Sequence, residues 1–185
     1  MIYILITCFL FSLCLFLTDD HKVTRKIFYY FIIIALFIFS AFRLKVGCDW
    51  EGYYNMFSNS MSIDWSSIVF KREFLFWTLS KAMNDLNIPY PFINVITSSI
   101  FFIGVHVLAQ RQPNPLSFLV LLFPILILNM PMSAIRQAAA IGIICIAFTS
   151  LIDRRPIWFT IWVLLATVLH SSAIVFLLLI PFTTG

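Results

Sequence analysis

A bundle of α-helices crossing a membrane six or seven times is the fold this sequence predicts, and three observations predict it. Hydrophobic residues fill 62% of the 185 positions and charged residues only 11%. A soluble domain carries about 25% charged residues, so a water-facing surface could not be covered here. Mean hydropathy over the whole chain is +1.00. The apolar residues also come in long runs, approaching the roughly 20 helical residues that span a hydrocarbon core, and the charges gather at the ends of those runs.

Taken in order, the apolar runs are residues 2–17, 27–42, 90–109, 116–130, 133–152 and 157–169. The last either continues past His170 to Pro181 or breaks there and begins a seventh crossing. Trp and Tyr near several run ends fit interfacial anchors. The first run has no basic residues before it and no small-x-small cleavage site before Thr18, so it reads as a retained helix with its N-terminus outside. The whole chain is expected to be a single integral membrane domain, 1–185, with one long outer loop, 43–89.

The breaks between runs set the orientation. The loop 19–26 carries Lys22, Arg25 and Lys26, the loop 110–115 carries Arg111, and the loop 153–156 carries Arg154 and Arg155. Alternating crossings put all three on one side. Their basic residues only equal in number those of the opposite segments, but the positive-inside rule is read from short loops, and there the density favours the cytoplasm. Segment 73–86 (EFLFWTLSKAMNDL) is too short and too charged to span, holding Lys81 and Asp85, and reads as an interfacial or re-entrant amphipathic helix. A crossing there would exchange the sides of every later loop.

Composition and spacing exclude other classes. A net charge of +4 and a pI near 9.0 could suggest nucleic acid, but the basic residues sit in short interhelical breaks and match lipid headgroups instead. Cys8, Cys14 and Cys145 lie inside apolar runs, and Cys48 stands in a polar loop with no Cys-x-x-Cys spacing. His21, His106 and His170 are far apart in the chain. No metal and no cofactor is expected, and His106, within the third run near Arg111, reads as structural.

Candidate chemistry lies in the outer segments. The loop opening Arg43-Leu-Lys-Val-Gly-Cys-Asp-Trp-Glu-Gly-Tyr-Tyr packs Arg43, Lys45, Asp49 and Glu51 close together with Gly47 and Gly52. It suits either a folded loop that binds an anionic ligand or a solvated loop whose charges avoid lipid. Arg136 begins an apolar, small-residue-rich helix, and arginine beside a span is costly unless it faces a cavity or partner. Free N–H groups of the same helical turn also favour an anion, while the small residues permit close helix contact. The plainer reading of Arg136 is a side chain that snorkels to headgroups. His170 ends the sixth run and could transfer a proton or serve only as a hydrogen-bonding residue. Glu73 could cap the amphipathic segment or enter the site. In the alternating arrangement Arg43, Asp49, Glu73, Arg136 and His170 all fall on the outer side. Two arginines with acids suit a lipid-linked, phosphate-bearing substrate.

At these residues the sequence resembles the EpsG-like branch of the Wzy-type polysaccharide polymerases. An Arg…Gly-x-Asp…Tyr loop matches Arg43, Gly47, Asp49 and Tyr53 or Tyr54, followed by Phe57. An acidic residue opening an amphipathic segment matches Glu73. An Ile-Arg-Gln-x-x-Ala helix start matches Ile135, Arg136, Gln137 and Ala140, and a His-Ser-Ser-Ala element matches His170 to Ala173. Members of that family are longer and have more helices, so the resemblance implies an N-terminal portion or a short member.

The resemblance implies a glycosyltransferase of the bacterial inner membrane that polymerises undecaprenyl-diphosphate-linked repeat units into O-antigen, capsule or exopolysaccharide on the periplasmic or outer face. Membrane lipids, a chain-length regulator and a flippase are the partners it implies. In that scheme Arg43 and Arg136, with Tyr53 and Gln137, hold diphosphate or glycan. Asp49 or Glu73 is the general base, and His170 joins the catalytic set. Two other classes compete. A flippase for the lipid-linked oligosaccharide would place polar groups more evenly on both leaflets, and a non-catalytic subunit of a glycan assembly complex would need no site.

Overall fold

The computed structural model describes residues 2–16, 22–43 and 45–183, and every regular element among them is helical. Expectations placed on Met1, on Asp19, Asp20 and His21, and on the C-terminal Thr184 and Gly185 fall outside the described residues. The helices are α1 (Ile2–Phe16), α2 (Lys22–Ala41), α3 (Trp50–Ser60), α4 (Trp65–Ile68), α5 (Phe74–Asp85), α6 (Pro91–Ala109), α7 (Pro115–Leu122), α8 (Ile135–Ile152) and α9 (Pro156–Leu169). A π-helical segment, Phe123–Ile127, prolongs α7, and a 3₁₀ helix, Ser171–Thr183, follows α9.

Three of these, α2, α6 and α8, are long and apolar enough to cross a membrane. At 1.5 Å per residue the 20 residues of α2 reach ~30 Å, the thickness of a hydrocarbon core. Ile4–Phe16, α9 and Ser171–Thr183 are apolar but shorter. The 3₁₀ form partly offsets the short length of the last: at 2.0 Å per residue its 13 residues extend ~26 Å, against ~20 Å as an α-helix. Large apolar side chains face outward along the bundle, among them Ile4, Leu15, Phe31, Ile34, Ile157 and Leu178. A water-soluble monomer rarely exposes so continuous an apolar surface, and a membrane protein requires it.

Helix boundaries differ from the sequence expectation in three places, and at His170 the structure takes one of the two alternatives expected there. Lys22, Arg25 and Lys26 belong to the first turns of α2 rather than to a loop, because Lys and Arg are good helix formers and their charge alone does not stop a helix. The run 116–130 leaves α-geometry early: Pro124 lacks an N–H and crowds the carbonyl four residues back, and the Leu128 N–H bonds to Phe123 O at 3.1 Å instead. The run after α9 breaks at His170, whose backbone is extended (φ −149°, ψ 117°), and the next helix packs against α8 and α9. The loop 43–89 holds three helices of its own, α3 to α5.

Close approach of α6 and α8 fixes the centre of the bundle. A Cβ on Gly104 would lie 1.8 Å from Gly142 O, and one on Gly142 would lie 2.6 Å from Phe101 Cα. Only glycine fits at either crossing point. Ser40 Oγ and Ser98 Oγ, 3.0 Å apart, tie α2 to α6. Amphipathic α5 is 12 residues long, ~18 Å, which falls short of a crossing. Its Phe76 and Met83 join Tyr53 and Phe57 of α3 in an apolar cluster that seats both helices on Tyr90, Ile93 and Ile135. Asn84 locks the pair by donating to Phe57 O and Ser60 Oγ. Through this cluster α3 and α5 sit over the starts of α6 and α8, where the candidate site forms.

Candidate functional site

Three residues from separate parts of the chain meet at this end of the bundle. Arg136, in the first turn of α8, donates from Nη1 to Glu73 Oε2 at 2.5 Å. His170, directly after α9, stands with Nδ1 2.8 Å from Glu73 Oε1, a close contact that lacks hydrogen-bond alignment. The backbone N–H and hydroxyl of Ser171 donate to the same Oε1 at 3.2 and 3.4 Å. Arg72 Nη2 donates to Ser171 Oγ at 2.9 Å. The Glu73 side chain is 8% exposed, against 25% for Arg136 and 26% for His170.

Local backbone geometry shows what holds Glu73 there. It precedes α5 in the left-handed region (φ 59°, ψ 45°) and makes no side-chain cap to that helix. A non-glycine residue pays roughly 1–2 kcal/mol for that conformation, and the forgone cap would have satisfied an orphan N–H. The carboxylate is directed instead to Arg136, His170 and Ser171. Of the two expectations for this acid, the cap to α5 is not formed. Arg136 is held from the other side: its guanidinium lies over the rings of Tyr53 and Phe76, at 5.2 and 5.7 Å from their centroids. The loop before α8 is held as well. Gly47 (φ 110°) approaches Met132 so closely that a Cβ would lie 2.2 Å from its carbonyl oxygen.

Lys71, Arg72, Glu73, Trp77, Arg136 and His170 line a cleft of about 590 Å³, completed by Ser171 and Ser172. Three permanent cations face one carboxylate there, so the cleft favours an anion. The loop basic residues Lys71 and Arg72 and the hydroxyl of Ser171 are site members that charge counting along the chain did not assign. Their signal was position: Lys71 and Arg72 immediately precede Glu73, and Ser171 follows His170 within the same short element.

The other expected residues divide. Arg43 follows α2 and is 8% exposed, in a second cavity of about 340 Å³ lined by Lys45, Trp50, Tyr54, Tyr90 and Asn94. Among the described residues nothing bonds its buried Nε or Nη1. Burial lowers its pKa from the ordinary arginine value, and the nearby Tyr90 and Tyr53 oppose that shift. Tyr53 lies under the Arg136 guanidinium and opposes the shift at Arg43, but it lines neither cavity. Of the two tyrosines, Tyr53 serves Arg136 and Tyr54 serves the Arg43 cavity. Asp49 is exposed at the start of α3, makes no cap bond to it and lines neither cavity. Gln137 is half-buried beside Arg136 and likewise lines neither. His106 lies elsewhere, with Nδ1 2.8 Å from Tyr29 Oη.

The family model of the EpsG family matches residues 26–184. No curated protein and no solved structure matches the chain. The matched span contains both cavities and every residue of the Glu73 cluster.

Proposed function

The chain belongs to the EpsG family and is a helical membrane protein of polysaccharide biosynthesis; from this premise we propose that it polymerises lipid-linked glycan repeat units at the Glu73–Arg136–His170 cleft. The protein would be a multi-pass protein of the bacterial inner membrane with its N-terminus outside. The cleft would then open to the periplasmic or outer face, where undecaprenyl-diphosphate-linked repeats are presented. One observation carries the reading: a carboxylate, a histidine and three cations from distant segments share one cleft at the end of apolar helices.

Chain growth breaks the bond between the anomeric carbon and the diphosphate of the donor, and the electron pair leaves with the diphosphate oxygen. The acceptor hydroxyl forms the new bond to that carbon and loses a proton. Departing diphosphate needs cationic stabilisation, which Arg136, Arg72 and Lys71 are placed to give. The proton needs an acceptor within reach. Glu73 Oε1 stands 2.8 Å from His170 Nδ1 without hydrogen-bond alignment; in the proposed scheme the pair aligns when substrate binds, and Nε2 accepts the proton in the manner of an acid-oriented histidine. Glu73 suits this scheme better than Asp49, which is exposed and lines neither cavity. An undecaprenyl-diphosphate-linked glycan is thus the proposed substrate, with a flippase and a chain-length regulator as the proteins that act before and beside it.

Replacing Arg136 with Ala in a producing cell tests the reading. Long surface glycan should collapse to single-repeat products that remain lipid-linked on the outer face. Normal glycan length at normal protein level would remove Arg136 from the mechanism, and repeats accumulating in the cytoplasmic leaflet would indicate transport instead.

A further inference from the structure

The second cavity has unmet bonding capacity on both sides of the hydrogen-bond ledger. Arg43 places two donor nitrogens, Nε and Nη1, in a buried position with no partner among the described residues, and Asn94 Oδ1 is a buried acceptor equally without one. Arg43 and Asn94 are 8% and 2% exposed. Native proteins leave few such groups unmet, because each costs desolvation with no bond in return. Lys45 adds a second cation, 6.0 Å from the Trp50 ring centroid, and no acid is among the lining residues.

The walls are aromatic. Trp50 and Tyr54 stack nearly parallel, with ring centroids 5.2 Å apart and an interplanar angle of 10°. Tyr90 meets both edge-on. Flat apolar faces beside a few placed polar groups suit a ligand with an apolar ring face and polar edges. A bare anion would satisfy Arg43 and Lys45 but leave Asn94 Oδ1 unmet and the rings unused. A neutral sugar would use the rings and Asn94 but leave two cations unpaired. A pyranose ring bearing a carboxylate or phosphate meets all of them, through its anionic group, its hydroxyls and its C–H face. We propose that the Arg43 cavity is a glycan subsite selective for an acidic sugar, separate from the Glu73–Arg136–His170 cleft. The proposal rests on the glycan-polymerising reading for its place in function, since it names the class of repeat unit that the cleft would process.

Binding can be measured without turnover, by ligand-observed NMR on the full chain in lipid nanodiscs. The probes are a galacturonate trisaccharide, galactose 6-phosphate, a neutral galactose trisaccharide and inorganic phosphate. At least one of the two acidic sugars should bind about tenfold or more tighter than both the neutral sugar and phosphate, the scale of one charge-assisted hydrogen bond. The stronger of the two identifies the anionic group. Arg43→Gln should remove the preference. Because Arg43 is buried, Lys45→Gln serves as the second variant: its side chain is exposed, and it should weaken acidic-sugar binding several-fold while leaving neutral-sugar binding unchanged. Arg136→Ala should leave acidic-sugar binding intact. Equal binding of acidic and neutral sugars, phosphate competing as well as the acidic sugar, or no binding of any probe would overturn the subsite. Selective acidic-sugar binding in a chain that fails to polymerise would instead overturn the polymerase reading and leave the subsite standing.

Discussion

Two ion pairs sit at opposite ends of α8, some 27 Å apart by its 18 residues, and they differ in nearly everything but their chemistry. Arg111 holds Asp153 bidentately at 3.0 and 3.2 Å, with side chains 48% and 29% exposed. Arg136 and Glu73 meet at 2.5 Å, with the acid 8% exposed. The first pair joins the ends of α6 and α8 across a solvated loop region. The second draws in His170, Ser171 and Arg72, and it is supported by a left-handed backbone at Glu73 and by two aromatic rings under Arg136. Exposed pairs contribute little to stability, while breaking a buried pair strands a charge. One end is thus an exposed loop closure, and the other is a buried cluster lining an anion-favouring cleft.

Glu73→Ala should break the comparison most severely. It strands Arg136 and His170 and should cost about 3–5 kcal/mol, read as a lowered melting temperature of the protein in detergent, together with loss of long glycan. Gly104→Ala disturbs both ends through the middle: its Cβ would drive into Gly142 O, and the α6–α8 crossing should lose about 1–3 kcal/mol. Arg136→Lys sharpens the contrast. The charge remains, but the forked donors and the stack on Tyr53 and Phe76 are lost, worth about 0.5–2 kcal/mol. Polymer yield should fall, with a smaller drop in melting temperature than Glu73→Ala causes. Asp153→Ala is the smallest change expected, about 0–1 kcal/mol, with glycan length unaltered. A larger effect on chain length from Asp153→Ala than from Arg136→Lys would reverse the assignment of the two ends.

Much of the candidate site was legible because charge beside an apolar run is costly and therefore placed. Arg136 stands out on that ground, Glu73 and His170 gain their place from the family resemblance, and the short helix after Glu73 was readable from its length and charge. The grouping was not legible. Arg43 and Arg136 look equivalent along the chain, yet they line two different cavities, a division that follows from how α3 and α5 pack on α6 and α8. Asp49 and Glu73 are likewise two acids of one loop by sequence, and only the left-handed turn at Glu73 shows which one is directed inward. The unmet groups of Arg43 and Asn94 exist only in three dimensions. The helical start of α2 at Lys22 and the π segment at Pro124 were hidden because charge and proline mark breaks in a pattern, whereas the backbone followed local hydrogen-bond geometry.

In the proposed function the Glu73–His170 pair, and not Asp49, moves the proton in glycan transfer. The most direct test is release of undecaprenyl diphosphate from lipid-linked repeat units by the purified chain in nanodiscs, with folded Glu73→Gln, His170→Gln and Asp49→Asn variants compared at equal protein. General acid–base groups contribute about 10²–10⁴-fold, so the first two variants should lose at least about 100-fold in release rate while Asp49→Asn stays within a few-fold of the parent. Parent-like release by His170→Gln and Glu73→Gln, or abolition by Asp49→Asn alone, would contradict the account.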